Sequence, residues 1–340
     1  MCDDSYAFDG ATPNMRALGG AEKAFVHLAG SLAARGHNVT AITRCEYQSS
    51  VDGVLWLPFE TPHPPESNVI IAFRKPELLE EFEAQTDHSV LWMWGHPNNL
   101  NQPLNQRIIE KHNPTIVFIG DAHSRAWKSW RDFQKAIIIP GVAANYIDMP
   151  RPEKIPPPIA IITTHPLHGL QNMLRLWRDR IHPENEMAEL HIYSASLFNG
   201  DVVPKLEEIY KEVADSGADK VFVKSPGAEK DMVAVYSSAR VHFYPVIAME
   251  FYGSTLAESQ ATGAPAIIYT GDGDASVIGE RIGNGQTGHI APDDDAFVNL
   301  AVQLLAEDTR MYQNLSRDAK AMQASRSWQL AAIEFEALWK

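Results

Sequence analysis

Short apolar runs recur along the chain and alternate with longer stretches in which apolar residues return every third or fourth position. The first helical stretch covers residues 21–35, with Phe25, Leu28, Ala29 and Leu32 on one face. Gly36 sits where a helix stop belongs, and Val39–Thr43 reads as the strand that follows. Further strands are predicted at 69–73, 90–94, 116–119 and 137–139. A proline-rich passage, 150–158, then breaks the pattern. Clustered prolines stiffen a chain and exclude helix, which marks a linker. The alternation restarts with strands at 159–163, 190–193, 221–223, 241–244 and 266–269, and ends in helices, the last at 328–340. Strand and helix in alternation predict an α/β protein built on parallel sheets. Two Rossmann-like domains facing each other across a cleft fit the layout. The expected division is residues 1–150, 151–325, and a final helix 326–340 that returns to the first domain through Trp328, Phe335 and Trp339.

One position breaks the regularity. The loop that opens the chain reads as the end of a first strand, yet almost no strand precedes Cys2. In a doubly wound sheet that strand is central. Either a segment precedes Met1 in the natural chain or the central position is filled in another way.

Composition narrows the class. At 340 residues, with 45% hydrophobic and 21% charged residues, the chain is an ordinary globular sequence with room for two domains. No apolar run is long enough to cross a bilayer, and the opening Met1-Cys2-Asp3-Asp4 does not read as a secretory leader. Two cysteines, Cys2 and Cys45, make no disulfide framework, so a reducing cytoplasm is expected. A net charge of −14 argues against nucleic acid as a partner, while leaving room for peripheral contact with the inner face of a membrane.

The densest chemistry lies in Glu250-Phe-Tyr-Gly-Ser-Thr-Leu-Ala-Glu258. Glu250 falls on a loop after the apolar strand 241–244, and Glu258 falls inside a helix that stops at Gly263. Between them Gly253 lets a ligand approach the backbone, and the amides of Ser254 and Thr255 open the helix. Free amides at a helix start attract phosphate. Flanking carboxylates would repel a bare phosphate but accept hydrogen bonds from sugar and ribose hydroxyls. The spacing alone also describes a helix with a solvated acidic face. The frame around it is more specific: Pro245, then Glu-x-x-Gly-Ser, then Glu-Ser-x-Ala-x-Gly-x-Pro.

This run resembles the Glu-x7-Glu motif of retaining glycosyltransferases of the GT-B fold, most closely glycosyltransferase family 4. The resemblance covers most of the chain and is strongest between residues 241 and 288. It implies that Glu250 contacts the donor sugar, Glu258 the ribose, and the amides at Gly253, Ser254 and Thr255 the donor diphosphate. Gly19-Gly20-Ala21-Glu22 is similar to the family's glycine turn on the other side of the donor, with Asn14 and Arg16 in the same loop as acceptor or phosphate contacts. His96, past the strand 90–94, matches the histidine near the reacting sugar. His123, in the segment 119–124, is a weaker acceptor-side match; its segment reads equally as a helix cap by Asp121 or Ser124. His165-Pro-Leu-His168-Gly169 departs from the family, which places Lys or Arg where His168 stands. A neutral histidine there still donates one hydrogen bond but lacks the fixed charge; with an ordinary pKa of roughly 6.5, a neighbouring phosphate would favour its protonated form. Lys224 either replaces part of that charge or lies on the surface.

Three rival patterns carry less. A His-x-x-His metal site at His165 and His168 lacks a third ligand nearby. Gly271-Asp-Gly273-Asp-Ala-Ser276 imitates a dinucleotide fingerprint, and its Asp272-x-Asp274 a metal motif, both out of context. The acidic run 293–295 reads as a cap on the helix from Phe297 to Leu305. The resemblance implies a hexosyltransferase-type enzyme moving a sugar, with retention, from a nucleoside-diphosphate sugar to a saccharide or lipid-linked saccharide hydroxyl. It implies no metal, no cofactor and no protein nucleophile, and a place in cell-surface polysaccharide or lipopolysaccharide synthesis. A degenerate nucleotide-sugar-binding protein or a sugar-nucleotide epimerase of the same fold are the alternatives.

Overall fold

The computed structural model describes residues 1–81, 85–201, 203–246, 250–271, 278–306 and 310–340. The apolar runs form strands in two separate α/β units. One comprises Met1–Gly141 with Arg326–Lys340, the other Val142–Ser325. The division falls ahead of the proline passage rather than at residue 150, for a local reason. The short helix Ala144–Ile147 packs on Ser254–Thr262 of the second unit, and Lys320 Nζ donates to Ile147 O at 2.7 Å, Met149 O at 2.7 Å and Ala261 O at 2.9 Å.

In the first unit the strands are β1 (Val39–Thr43), β2 (Ser49–Val51), β3 (Val54–Pro58), β4 (Glu66–Phe73), β5 (Gln85–Trp92), β6 (Thr115–Phe118) and β7 (Lys135–Ile137). They lie in the orders β2-β3-β1 and β4-β5-β6-β7, parallel except for β2. Pattern reading missed the β2–β3 hairpin. Its turn, Asp52-Gly53, has φ of 49° and 76°, the mirror-image turn that suits the twist of a tight hairpin. Cys2 joins the two groups of strands, bridging Ile42 on β1 and Ala72 on β4 in parallel. A three-residue stub therefore holds the central position: Cys2 N donates to Ile71 O, Asp3 N to Ile42 O, and the Met1 amino group to Thr40 O. Beside the stub a cavity of about 540 Å³ is lined by Met1, Val39, Thr40, Val69 and Trp339, among others.

The helix Gly20–Ala34 buries Ala24, Phe25, Leu28, Ala29 and Leu32, the face its spacing predicts. The last helix, Trp328–Glu336, belongs to this unit and packs on Gly20–Ala34. Phe335 meets Trp92 edge to face at 5.2 Å between centroids, and Glu336 binds Arg35, His37 and Lys340.

In the second unit β8 (Ile159–Ile162), β9 (Glu189–Tyr193), β10 (Val221–Lys224), β11 (Val241–Pro245), β12 (Ala266–Tyr269) and β13 (Gly288–Ala291) are all parallel, in the order β10-β9-β8-β11-β12-β13. The chain builds outward from β8 to one edge, then restarts on its other side. That reversal makes the β8/β11 boundary a topological switch point, where open α/β sheets bind ligands at the strands' carboxyl ends. The two strands pair at Val241–Ala160 and His242–Ile161. Among the described residues no helix is long and apolar enough to cross a membrane.

Candidate functional site

Strand β11 has two faces. Val241 and Phe243 enter the main apolar core with Ile162, Trp177, Leu190 and Phe297. His242 and Tyr244, at the alternate positions, are also buried but face Ser254–Thr262, to whose residues they bond. A buried polar group must find partners. His242 Nδ1 lies 2.8 Å from Ser259 Oγ, whose own proton goes to Leu256 O at 3.0 Å, so the ring nitrogen is the donor. His242 Nε2 then accepts from Thr163 Oγ1 at 2.9 Å, at the end of β8. Burial lowers the His242 pKa to about 3 and keeps the ring neutral. This chain of bonds ties β8, β11 and the helix together at the switch point.

Glu250 and Glu258 are placed differently. Gly253, with φ of 66°, is the residue from which the helix starts, and the turn brings Glu250 back over that start. Tyr244 donates to Glu250 Oε1 at 2.8 Å, and the Gly253 amide also bonds the carboxylate. Burial raises the Glu250 pKa above its ordinary value, while these two bonds oppose the rise. Thr255 bonds the Tyr244 hydroxyl from the helix's first turn. A Cβ on Gly253 would lie 3.0 Å from Ile278 Cδ1 and 3.2 Å from the Tyr244 oxygen, so this glycine is required by conformation and by space. Glu258 is 7% exposed, with the Tyr236 hydroxyl 3.5 Å from Oε2. Burial and the neighbouring Glu258 push the phenols of Tyr146 and Tyr236 well above their ordinary range. The helix closes at Gly263, where Gly263 N bonds Gln260 O and Ala264 N bonds Ser259 O.

On the β8 side, His165 and His168 stand with ring centroids 5.4 Å apart in the turn before Gly169. Burial and His168 lower the His165 pKa. Among the described residues no three His, Cys, Asp or Glu side chains gather as metal ligands would. Lys224 is not brought to this group. It ends the edge strand β10, separated from β11 by two strands, and its Nζ lies 6.0 Å from the Phe222 ring centre. A cation that sequence reading passed over, Arg281, covers the Tyr252 ring at 3.9 Å and donates to Tyr252 O at 3.1 Å, next to Gly253. Residues 272–277 lie outside the described residues, and with them Asp272, Gly273, Asp274 and Ser276. Asp293 caps the helix Asp294–Leu305 through Ala296 N at 2.8 Å.

In the first unit Gly19 caps Gly20–Ala34. Glu22, three residues in, folds its carboxylate back against Gly19, where a side chain on residue 19 would collide with it. Glu22 is spent on Arg74, which also clamps Asp3 at 2.7 Å and bonds Ser5. Arg74 holds φ of 72° at the end of β4, a strained conformation for a non-glycine residue. Asn14 is exposed, and Arg16 closes its own loop onto Ala7 O at 2.6 Å. His96 is exposed, its Nδ1 accepting from Asn98 N at 3.2 Å. His123 requires a correction. It is 1% exposed, accepts from Ile119 N at 3.2 Å and donates to Gly95 O at 2.8 Å, with its pKa lowered to about 4 by burial. A ring so enclosed cannot reach an acceptor; it holds the loop that carries His96.

No protein-family model matches the chain, and no curated protein matches it by sequence. Solved structures do. Sucrose-phosphate synthase from Thermosynechococcus elongatus aligns with a TM-score of 0.73 at 15% identity, over 99% of this chain and 97% of that one. Anabaena HepE in complex with UDP-glucose aligns at 0.74 and 14% identity, over 99% and 98%. WaaG, a glycosyltransferase involved in lipopolysaccharide biosynthesis, aligns at 0.69 and 11% identity, over 100% and 99%. The fold is GT-B, as in these glycosyltransferases. At such identities the likeness establishes architecture and leaves the chemistry to the residues.

Proposed function

We propose that the chain is a retaining, metal-independent glycosyltransferase of the family 4 type, which moves a hexose from a nucleoside-diphosphate donor to a saccharide or lipid-linked saccharide hydroxyl. Cell-surface polysaccharide or lipopolysaccharide synthesis, at the cytoplasmic side of the membrane, is the setting. The observation that carries the reading is the group at the β11 carboxyl end. Two carboxylates flank a glycine turn that opens a helix, at the switch point of a parallel sheet in a GT-B fold. HepE, with the same fold, is solved with UDP-glucose.

In this reading Glu250 accepts hydrogen bonds from donor-sugar hydroxyls and Glu258 from the ribose. The amides of Ser254 and Thr255 face the diphosphate, whose developing charge they stabilise as the sugar departs. His168, in this reading, occupies the place of a fixed cation and donates a hydrogen bond to the diphosphate.

Calorimetric titration with UDP and a panel of nucleotide sugars, paired with an assay of UDP release, tests the proposal. Glu258→Ala should weaken UDP binding about tenfold whatever the sugar. Glu250→Ala should reduce turnover with UDP binding retained. If neither substitution changes binding or rate, the site is elsewhere. His168 favours one second reading, a degenerate nucleotide-sugar-binding protein, which would bind the donor tightly and release no UDP with any acceptor.

A further inference from the structure

Glu250 precedes the helix, on a loop, and its carboxylate is fixed by groups outside its own side chain. The Tyr244 hydroxyl, anchored on β11 and fully buried, donates to Oε1 at 2.8 Å. Thr255 bonds the same hydroxyl from the helix, which leaves the phenol's proton for Glu250. Gly253 lacks the Cβ that would crowd the phenol oxygen. Strand, turn and helix therefore converge on one oxygen atom, and that atom aims the carboxylate.

We propose that Tyr244 is a positioning residue for Glu250, presetting the carboxylate to receive the hydroxyls of the donor sugar; the assignment rests on the glycosyltransferase reading above.

A glutamate side chain on a loop has several rotamers, and fixing one on binding costs conformational entropy that a preformed bond removes. The bond also has a protonation signature. Tyr244 donates to the charged form of Glu250 and so favours it, as does the Gly253 amide, against burial. Without the phenol the carboxyl takes up a proton at higher pH, and a protonated carboxyl accepts sugar hydroxyls poorly. A merely structural tyrosine would have no such effect on a pH profile.

The experiment compares the full chain with its Tyr244→Phe and Glu250→Gln variants. It uses two readouts: the carbon-13 titration of the Glu250 carboxyl, and UDP release from UDP-glucose as a function of pH. Tyr244→Phe should move the titration to higher pH. It should lower kcat/KM for UDP release about tenfold, shift the acid limb of the rate profile upward, lower the melting temperature modestly through the lost buried bond, and leave UDP affinity close to that of the parent. Glu250→Gln should release almost no UDP. An unmoved Glu250 titration in Tyr244→Phe overturns the role of Tyr244, and so does an unchanged rate profile beside an inactive Glu250→Gln. Full activity in Glu250→Gln, or no UDP release by the parent chain, instead overturns the reading of the site, and the role of Tyr244 falls with it.

Discussion

Replacing Gly253 with alanine isolates the turn on which the site depends. At φ of 66° a residue with a Cβ sits in the left-handed region, which costs about 1–2 kcal/mol. The added carbon would lie 3.0 Å from Ile278 Cδ1, 3.2 Å from the Tyr244 oxygen and 3.4 Å from Leu256 Cβ. Ile278 is fully buried in the same apolar cluster as Tyr244, and Tyr244 can retreat only by loosening its bond to Glu250, so the total is roughly 1–3 kcal/mol. For a unit of this size the thermal midpoint should fall by about 2–10 °C. Gly263 supplies a matched control at the other end of the same helix, with φ of 96° and a Cβ that would meet Ser316 Oγ at 3.0 Å and Arg151 Cγ at 3.2 Å. Gly263→Ala should cost similar stability. The two variants should part company in function: Gly253→Ala weakens UDP-glucose binding at least tenfold by calorimetry, and Gly263→Ala leaves it within about twofold. Equal binding losses in both would mean that the turn acts through general stability, and the argument from its geometry would fail.

Arg74→Ala should destabilise the first unit by about 3 kcal/mol, because it strands the buried carboxylates of Asp3 and Glu22; Arg74→Lys should recover little, since a lysine cannot hold two acids in a fork. The measurement is urea denaturation, and a loss below about 1 kcal/mol for alanine would show that the clamp is idle. His123 is held neutral when folded, with a pKa of about 4 against an ordinary 6.5, so its contribution is complete above pH 6.5 and is lost as pH falls toward 4. That loss is on the order of 3 kcal/mol, and a His123→Gln variant should show a flatter decline of melting temperature between those values; identical slopes would refute it. His168→Arg should tighten UDP-glucose binding, because arginine sets a fixed positive charge where the proposed site has a histidine. Unchanged affinity by calorimetry would remove His168 from the proposed phosphate site.

Much of the fold was legible because buried parallel strands are continuous apolar runs. The strand predicted at 266–269 is Ala266–Tyr269, and 241–244 is Val241–Pro245. The β2–β3 hairpin escaped although Asp52-Gly53 is a strong turn signal, since its first strand, Ser49–Val51, has hardly any apolar pattern. The strained backbone of Arg74 has no sequence signature at all, and the ion pairs it makes join residues 3, 22 and 74, far apart in the chain. His123 misled because a histidine past a strand end is equally suited to a ligand and to a loop. Only its enclosure by Ile119 and Gly95 decides for the loop.

The glutamate pair illustrates the difference between a motif and a site. The helix begins at Ser254, so Glu250 stands outside it and Glu258 within, as the loop after strand 241–244 and the helix stop at Gly263 predict. The left-handed turn at Gly253 folds Glu250 back over the helix start, where the Gly253 amide and Tyr244 bond it, while Glu258 lies within the helix beside Tyr236. The residues that make this work were inside the segment read as an apolar strand. Alternation along β11 gives one face to the core and the other to His242 and Tyr244, and a period of two is enough to assign these residues to opposite faces. Two glutamates at this spacing with a bulky residue at the turn, or with phenylalanine in place of Tyr244, would match the same pattern without holding the carboxylate in place. The glycine and the tyrosine carry as much of the inference as the acids do.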